Sequence, residues 1–349
     1  MRAVGTPPSR STAEALKACW TGETAVVPPK VRYFDYLPVG FFGSVMGLTG
    51  LSVAWKLAAQ AYPVSERISG VIGIVAVAWF LLLGSAYCLK ALTAFEVVRS
   101  EFHHPVAGNL FGTILVSLLL LPIVIAPTAL LVAQSLWCVG AVAMVGFAWL
   151  IVDRWMSVRQ QAVLATPAWI VPVVGLIDVP LALPSLNLPA AHGVMVACLA
   201  IGLFFALPLF TILFSRLLFE EPLTMPLQPM LLILVAPFGV GLSSYVATTG
   251  QVDLFAEALF WIMLFLLAVL LGRLRQLLHC CPFRVAWWSV SFPLAAAAAS
   301  AVRFAMARPG LVADSIAWLL LALATTVIAA LTIRTLVGIA FGELRALSQ

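Results

Sequence analysis

ILVSLLLLPIVI, residues 114–125, places one hydroxyl and no charge in an unbroken apolar run. A strand of a membrane β-barrel alternates apolar with polar side chains, because one face meets lipid and the other the lumen. Here consecutive positions are apolar, so the stretch reads as a helix with hydrocarbon or another helix on every side. The same texture runs through the chain. Of its 349 residues, 63% are hydrophobic and 9% charged, with a mean hydropathy of +1.10, whereas a soluble domain is about 25% charged. That leaves too little polar surface to cover a water-soluble globule. A bilayer crossing takes about 20 mainly apolar residues, so the length allows about ten crossings.

Ten apolar segments can be marked off, near residues 35–60, 68–90, 106–126, 128–152, 166–184, 192–217, 227–248, 253–274, 283–306 and 312–335. The expected fold class is an all-α membrane protein, with a ten-helix domain over residues 33–345. Residues 1–32 are rich in Pro, Ser, Thr and Gly and lack the continuous apolar centre of a signal peptide, which predicts a flexible cytoplasmic tail.

The net charge of +5 does not indicate nucleic acid, since the basic residues sit at segment ends and are not gathered on one face among aromatics. Lys and Arg favour the cytoplasmic side of short membrane loops. With the N-terminus inside, only Lys56, Arg67, Arg303 and Arg308 of the 19 basic residues fall outside. This bias predicts an even number of spans and both termini in the cytoplasm.

Odd and even segments differ in their helix breakers. The odd ones carry Gly43, Gly47 and Gly50; Pro122; Pro172 and Gly175; Pro237, Gly239 and Gly241; and Pro293. The even ones are plainer, with Gly73, Gly84 and Pro208 as exceptions. Short connections at Pro127 and at Gly250–Gln251 imply antiparallel hairpins, five in all. A proline frees a backbone carbonyl, which inside a membrane is tolerated where neighbouring helices, hydroxyls or water satisfy it. The expected arrangement is therefore an inner ring of kinked odd helices lining a pore and an outer ring of even helices facing lipid. The alternative is the general enrichment of Pro and Gly in membrane helices.

Enzyme chemistry finds no support in the residue pattern. His103, His104, His192 and His279 form no HExxH-like pair, no GxxxxGK[ST] loop is present, and the cysteines (Cys19, Cys88, Cys138, Cys198, Cys280, Cys281) lack metal-ligand spacing. No cofactor or metal is expected. Three ionisable residues lie inside spans near their ends: Asp178, Glu257 and Arg303. Acidic rings at mid-depth, the mark of cation pathways, are missing, so a passing anion fits better, and Arg303 becomes a candidate for attracting it. The candidate pore lining comprises Phe41, Phe42, Gly43, Gly47, Phe111, Pro122, Pro172, Gly175, Pro237, Phe238 and Pro293. Phe292, between Ser291 and Pro293 and followed by a row of alanines, has a ring placed to plug a narrow path, with a packed core aromatic as the plain alternative.

Four stretches together carry a resemblance: LPVGFFGSVMGLTGLSVAW (37–55), FEVVRSEFHHPV (95–106), ILVAPFGVGLSSYVATTGQVD (233–253) and VAWWSVSFPLA (285–295). Across residues 34–340 the chain resembles the tellurite-resistance/dicarboxylate-transporter family, in particular its bacterial TehA-like members, to which plant slow-type anion channels and fungal malate and sulfite transporters are related. The resemblance implies five helical hairpins, a homotrimer with a pore in each subunit, a place in the bacterial inner membrane, and passage of small anions such as chloride or nitrate. It also implies that the phenylalanine beside the SFP step of the ninth helix, Phe292, occludes the pore. C4-dicarboxylates, tellurite and sulfite are the alternative solutes. The sequence departs from the family in Asp178, which matches no family pore residue, and in a proline where TehA-like proteins often have glycine.

Overall fold

A computed structural model describes residues 33–188, 191–277 and 283–348. The tail at 1–32, His279 and the Cys280–Cys281 pair lie outside these residues. Among the described residues ten helices are long and apolar enough to cross a membrane: α1 (Val39–Ala61), α2 (Arg67–Thr93), α3 (Ala107–Ile125), α4 (Leu130–Ser157), α5 (Pro167–Leu186), α6 (His192–Phe219), α7 (Met225–Thr249), α8 (Leu254–Arg273), α9 (Val285–Ala307) and α10 (Leu311–Ala340). No strand occurs among the described residues. The long apolar runs leave the backbone one way to satisfy its own N–H and C=O groups without water, and that is the helix.

Odd and even spans differ in burial. Buried residues fill 61–83% of the apolar window of each odd span and 22–39% of each even one. The odd spans touch in a closed order, α1 to α3 to α5 to α7 to α9 and back to α1, and each even span packs on the odd span before it. Gly250, at φ 74°, ends α7 in the left-handed region and turns the chain into α8.

Every odd span opens with a tightly wound 3₁₀ stretch: Val39–Phe42, Ala107–Phe111, Pro167–Trp169, Met225–Val235 and Val285–Val290. A second runs from Gly175 to Ala182 within α5. Prolines at 167, 180, 226 and 229 remove N–H donors from these segments, which weakens the α-helical ladder there. Even spans are α-helical throughout.

Small residues set the tightest crossing. A Cβ on Gly47 would run into the Ser291 side chain, and one on Gly50 would lie 3.0 Å from the Cβ of Ala295. The alanine row of α9 thus meets the glycine row of α1, a close approach of two backbones that replaces the missing hydrophobic drive within lipid. Indole N–H groups fasten odd spans to even ones: Trp79 to Ser44 Oγ (2.8 Å), Trp137 to Val179 O (2.9 Å) and Trp288 to Thr335 Oγ1 (3.0 Å).

Candidate functional site

Two cavities lie between the odd spans and adjoin at Phe292 and Val240. The near cavity, at the end where the described chain begins and ends, is about 190 Å³ and is bordered by residues of all five odd spans, by Arg284 and by Leu347 and Ser348. The far cavity, about 220 Å³, is bordered by odd spans alone. Among the described residues only Phe292 and Val240 border both. The Phe292 ring is 8% exposed and lies against Gly50, where a Cβ would sit 3.4 Å from its Cδ2.

The lining follows helical spacing. Along α9 it runs Ser289, Phe292, Ala296, Ala299 and Arg303, and along α1 it runs Gly43, Met46, Gly50, Val53 and Leu57, steps of three and four that keep one face turned to the axis. Of the residues proposed from sequence, Gly43, Gly175, Pro237 and Pro293 border the near cavity, Arg303 the far one, and Phe292 both.

The remaining candidates are turned elsewhere. Phe41 packs edge-on to Trp79, Phe42 to Phe80 and Tyr87, Phe111 to Tyr87 and Phe102, and Phe238 to Phe210. In a 3₁₀ turn residues i and i+3 eclipse, so Gly40 and Gly43 share the cavity face and Phe41 and Phe42 cannot. The same one-residue offset takes Phe111 off the face of Leu110 and Phe238 off that of Pro237. Gly47 is occupied by its contact with Ser291, and Pro122 and Pro172 are buried without bordering either cavity.

Charge is distributed unequally. The far cavity holds Lys56 and Arg303 with the hydroxyls of Ser185 and Ser243 and no carboxylate. Among the described residues neither cation is in an ion pair, and the Arg303 Nε has no hydrogen-bond partner. Lys56 was not singled out by sequence; its position three residues after Val53, beside the cavity stripe of α1, is the signal that finds it. Glu257, a candidate from its depth, pairs instead with Arg308 at 2.8 Å. The near cavity holds Arg284 and Asp178, the latter 4% exposed with Oδ1 unpartnered.

A second charged cluster lies outside the cavities and was missed entirely. Glu101, beyond the short helix's midpoint in Phe95–His103, accepts from Lys90 Nζ (2.7 Å), the Tyr87 hydroxyl (2.9 Å) and the backbone N–H of Val39 (2.6 Å). Lys90, 2% exposed, also donates to Leu37 O at 2.6 Å. The group pins the entry of α1 to the end of α2.

Comparison with known proteins follows the same outline. A family model described as voltage-dependent anion channel, SLAC1, matches residues 36–336. The Arabidopsis thaliana S-type anion channel SLAH3 is 28% identical over 326 residues, covering 89% of this chain and 50% of that protein. The guard cell S-type anion channel SLAC1 of the same plant is 26% identical over 325 residues, covering 89% and 58%. The tellurite resistance protein TehA homolog of Haemophilus influenzae is 29% identical over 274 residues, covering 77% and 81%. The chain spans about half the length of these two plant relatives. A family match over residues 36–336, most of the ten-helix region, makes this chain a member of the SLAC1 voltage-dependent anion channel family.

Proposed function

We propose that the protein is an anion channel of the bacterial inner membrane, passing small anions such as chloride or nitrate through a conduit enclosed by the five odd spans and closed by the Phe292 ring. The observation that carries this reading is that Phe292 and Val240 alone border both cavities. Rotation of the ring out of the path between them joins the cavities. The polarity comes from the unpaired Lys56 and Arg303 at the far end and from the N-terminal ends of five parallel helices facing the near one, which carry partial positive charge.

In this reading both termini lie in the cytoplasm, in keeping with the basic residues on that side, and three copies assemble with one conduit each, their even spans toward lipid. A carrier for C4-dicarboxylates, or for tellurite or sulfite, is the second reading. It is favoured by the two cations of the far cavity, which suit a divalent anion, and by the name of the Haemophilus relative.

The test is Phe292→Ala in planar bilayers with chloride, nitrate and malate in turn. Raised current whose reversal potential follows the anion supports the channel. Selectivity for potassium, or an unchanged current from folded protein, defeats it. Saturable malate uptake without unitary current selects the carrier.

A further inference from the structure

The near cavity contains one polar group that the passage of an anion does not explain. Asp178 sits in the 3₁₀ segment Gly175–Ala182, is 4% exposed, borders the cavity, and has an Oδ1 without a hydrogen-bond partner. An ionised carboxylate here would repel the solute that Lys56 and Arg303 attract at the other end. A carboxyl that keeps its proton is instead a donor, with an O–H to offer an anion's oxygen or halide.

The surroundings give a carboxylate nothing to lean on. The segment packs on α3, α4, α6 and α7. Between 107 and 125, α3 has no ionisable side chain, and α7 has Tyr245 alone, close to its far end. In α4 the groups are Cys138, exposed, and Asp153 and Arg154 at the helix end, where Arg154 donates to the carbonyls of Phe102 and His103. In α6 they are His192 and Arg216 at opposite ends and the buried thiol of Cys198. Arg284 is the one cation on the same cavity, and no ion pair joins it to Asp178 within 4.0 Å.

We infer that Asp178 is a proton-binding site in the conduit, and that an anion in the near cavity is held by the protonated carboxyl, so that anion passage is promoted by acid on that side. The inference rests on the anion-conduit reading and adds a second ligand, the proton, at a residue of its own. No bond to the anion forms or breaks; the proton comes from water at the near mouth and returns to it.

The experiment uses the full chain in lipid vesicles with an entrapped chloride-quenched dye. Wild type, Asp178→Asn, Asp178→Glu and Phe292→Ala are compared at about pH 7.5 and about pH 5.5, an interval over which a single site changes its protonated-to-ionised ratio by about a hundredfold. Wild-type flux is expected to rise at least about threefold on acidification. Asp178→Asn, with a permanent N–H donor, is expected to lose that rise, and Asp178→Glu to keep it.

Linkage supplies a readout on unmutated protein. If the anion prefers the protonated site, adding nitrate to weakly buffered protein in detergent must draw protons from solution, at most one per chain. Uptake supports the site, and its absence overturns it even where Asp178→Asn does not fold. Flux that is present but equally acid-sensitive in wild type and Asp178→Asn overturns the proton site and leaves the conduit standing. Absence of flux from folded Phe292→Ala at both pH values overturns the conduit and the inference with it.

Discussion

The two ends of the molecule hold their charges differently. At the near end buried Lys90 pairs with partly buried Glu101; Glu101 also accepts from Tyr87 and Val39 and Lys90 donates to Leu37, so their charge is consumed in fixing where α1 begins. At the far end Lys56 and Arg303 border a cavity and, among the described residues, pair with no carboxylate. A charge with partners is a structural part; one left facing a cavity is available to a solute. Position along the span alone does not separate the two cases, because Lys90, Lys56 and Arg303 all lie near the ends of apolar spans.

Substitutions that exchange these roles test the contrast. Glu101→Ala strands the Lys90 ammonium in a buried site and leaves the Val39 N–H without its acceptor. Breaking one side of such a pair costs about 3–5 kcal/mol, so thermal unfolding in detergent is expected to move sharply down, and an unchanged midpoint would show the cluster to be idle. Phe292→Ala is expected to raise anion current about tenfold, the gain from removing about 1.4 kcal/mol of barrier. Because the ring borders space on both sides, its truncation is also expected to cost less stability than the about 3–5 kcal/mol of a fully packed phenylalanine. A full loss there, without added current, would return Phe292 to the core.

Gly50→Ala comes next. Its Cβ would press on Ala295 at 3.0 Å and on the Phe292 ring at 3.4 Å, an overpacking that costs about 1–3 kcal/mol and restricts the ring. Lower stability together with lower current is the expected outcome; lower stability alone would separate the crossing from the gate. Arg303→Gln has the smallest effect, since no partner is orphaned: unfolding is unchanged, and anion current at low salt falls about threefold, with the difference shrinking as salt screens the charge. A clear loss of stability would reveal a structural role for Arg303 and erase the contrast between the ends.

Much of the fold was legible because length and apolarity are what a bilayer demands. The ten segments fall within a few residues of the ten helices, whereas the breakers read from sequence lie after the 3₁₀ openings, in the α-helical parts of the odd spans, with Gly175 alone at the start of a 3₁₀ segment. Within a span the reading fails, because a helix apolar on every side gives no periodic sign of which face turns inward. Phe41, Phe42, Phe111 and Phe238 were chosen as aromatics near breaks, yet the small residues beside them take the cavity and the rings fill gaps between helices. Phe292 and Arg303 were legible only as separate candidates, one from its place beside the SFP step and one from its depth, and they border the cavities eleven residues apart on α9. The Lys90–Glu101 cluster was not, since the break at Ala94 hides their approach.

The 3₁₀ openings also bear on reach. At about 2.0 Å per residue, the eleven residues Met225–Val235 extend about 22 Å, where an α-helix of equal length would cover about 16 Å. Rewinding that one segment would draw the mouth of α7 inward by about 5 Å, roughly one helical turn. The odd spans thus carry, in the pitch of their backbone openings, length that an α-helix of the same residues would lack.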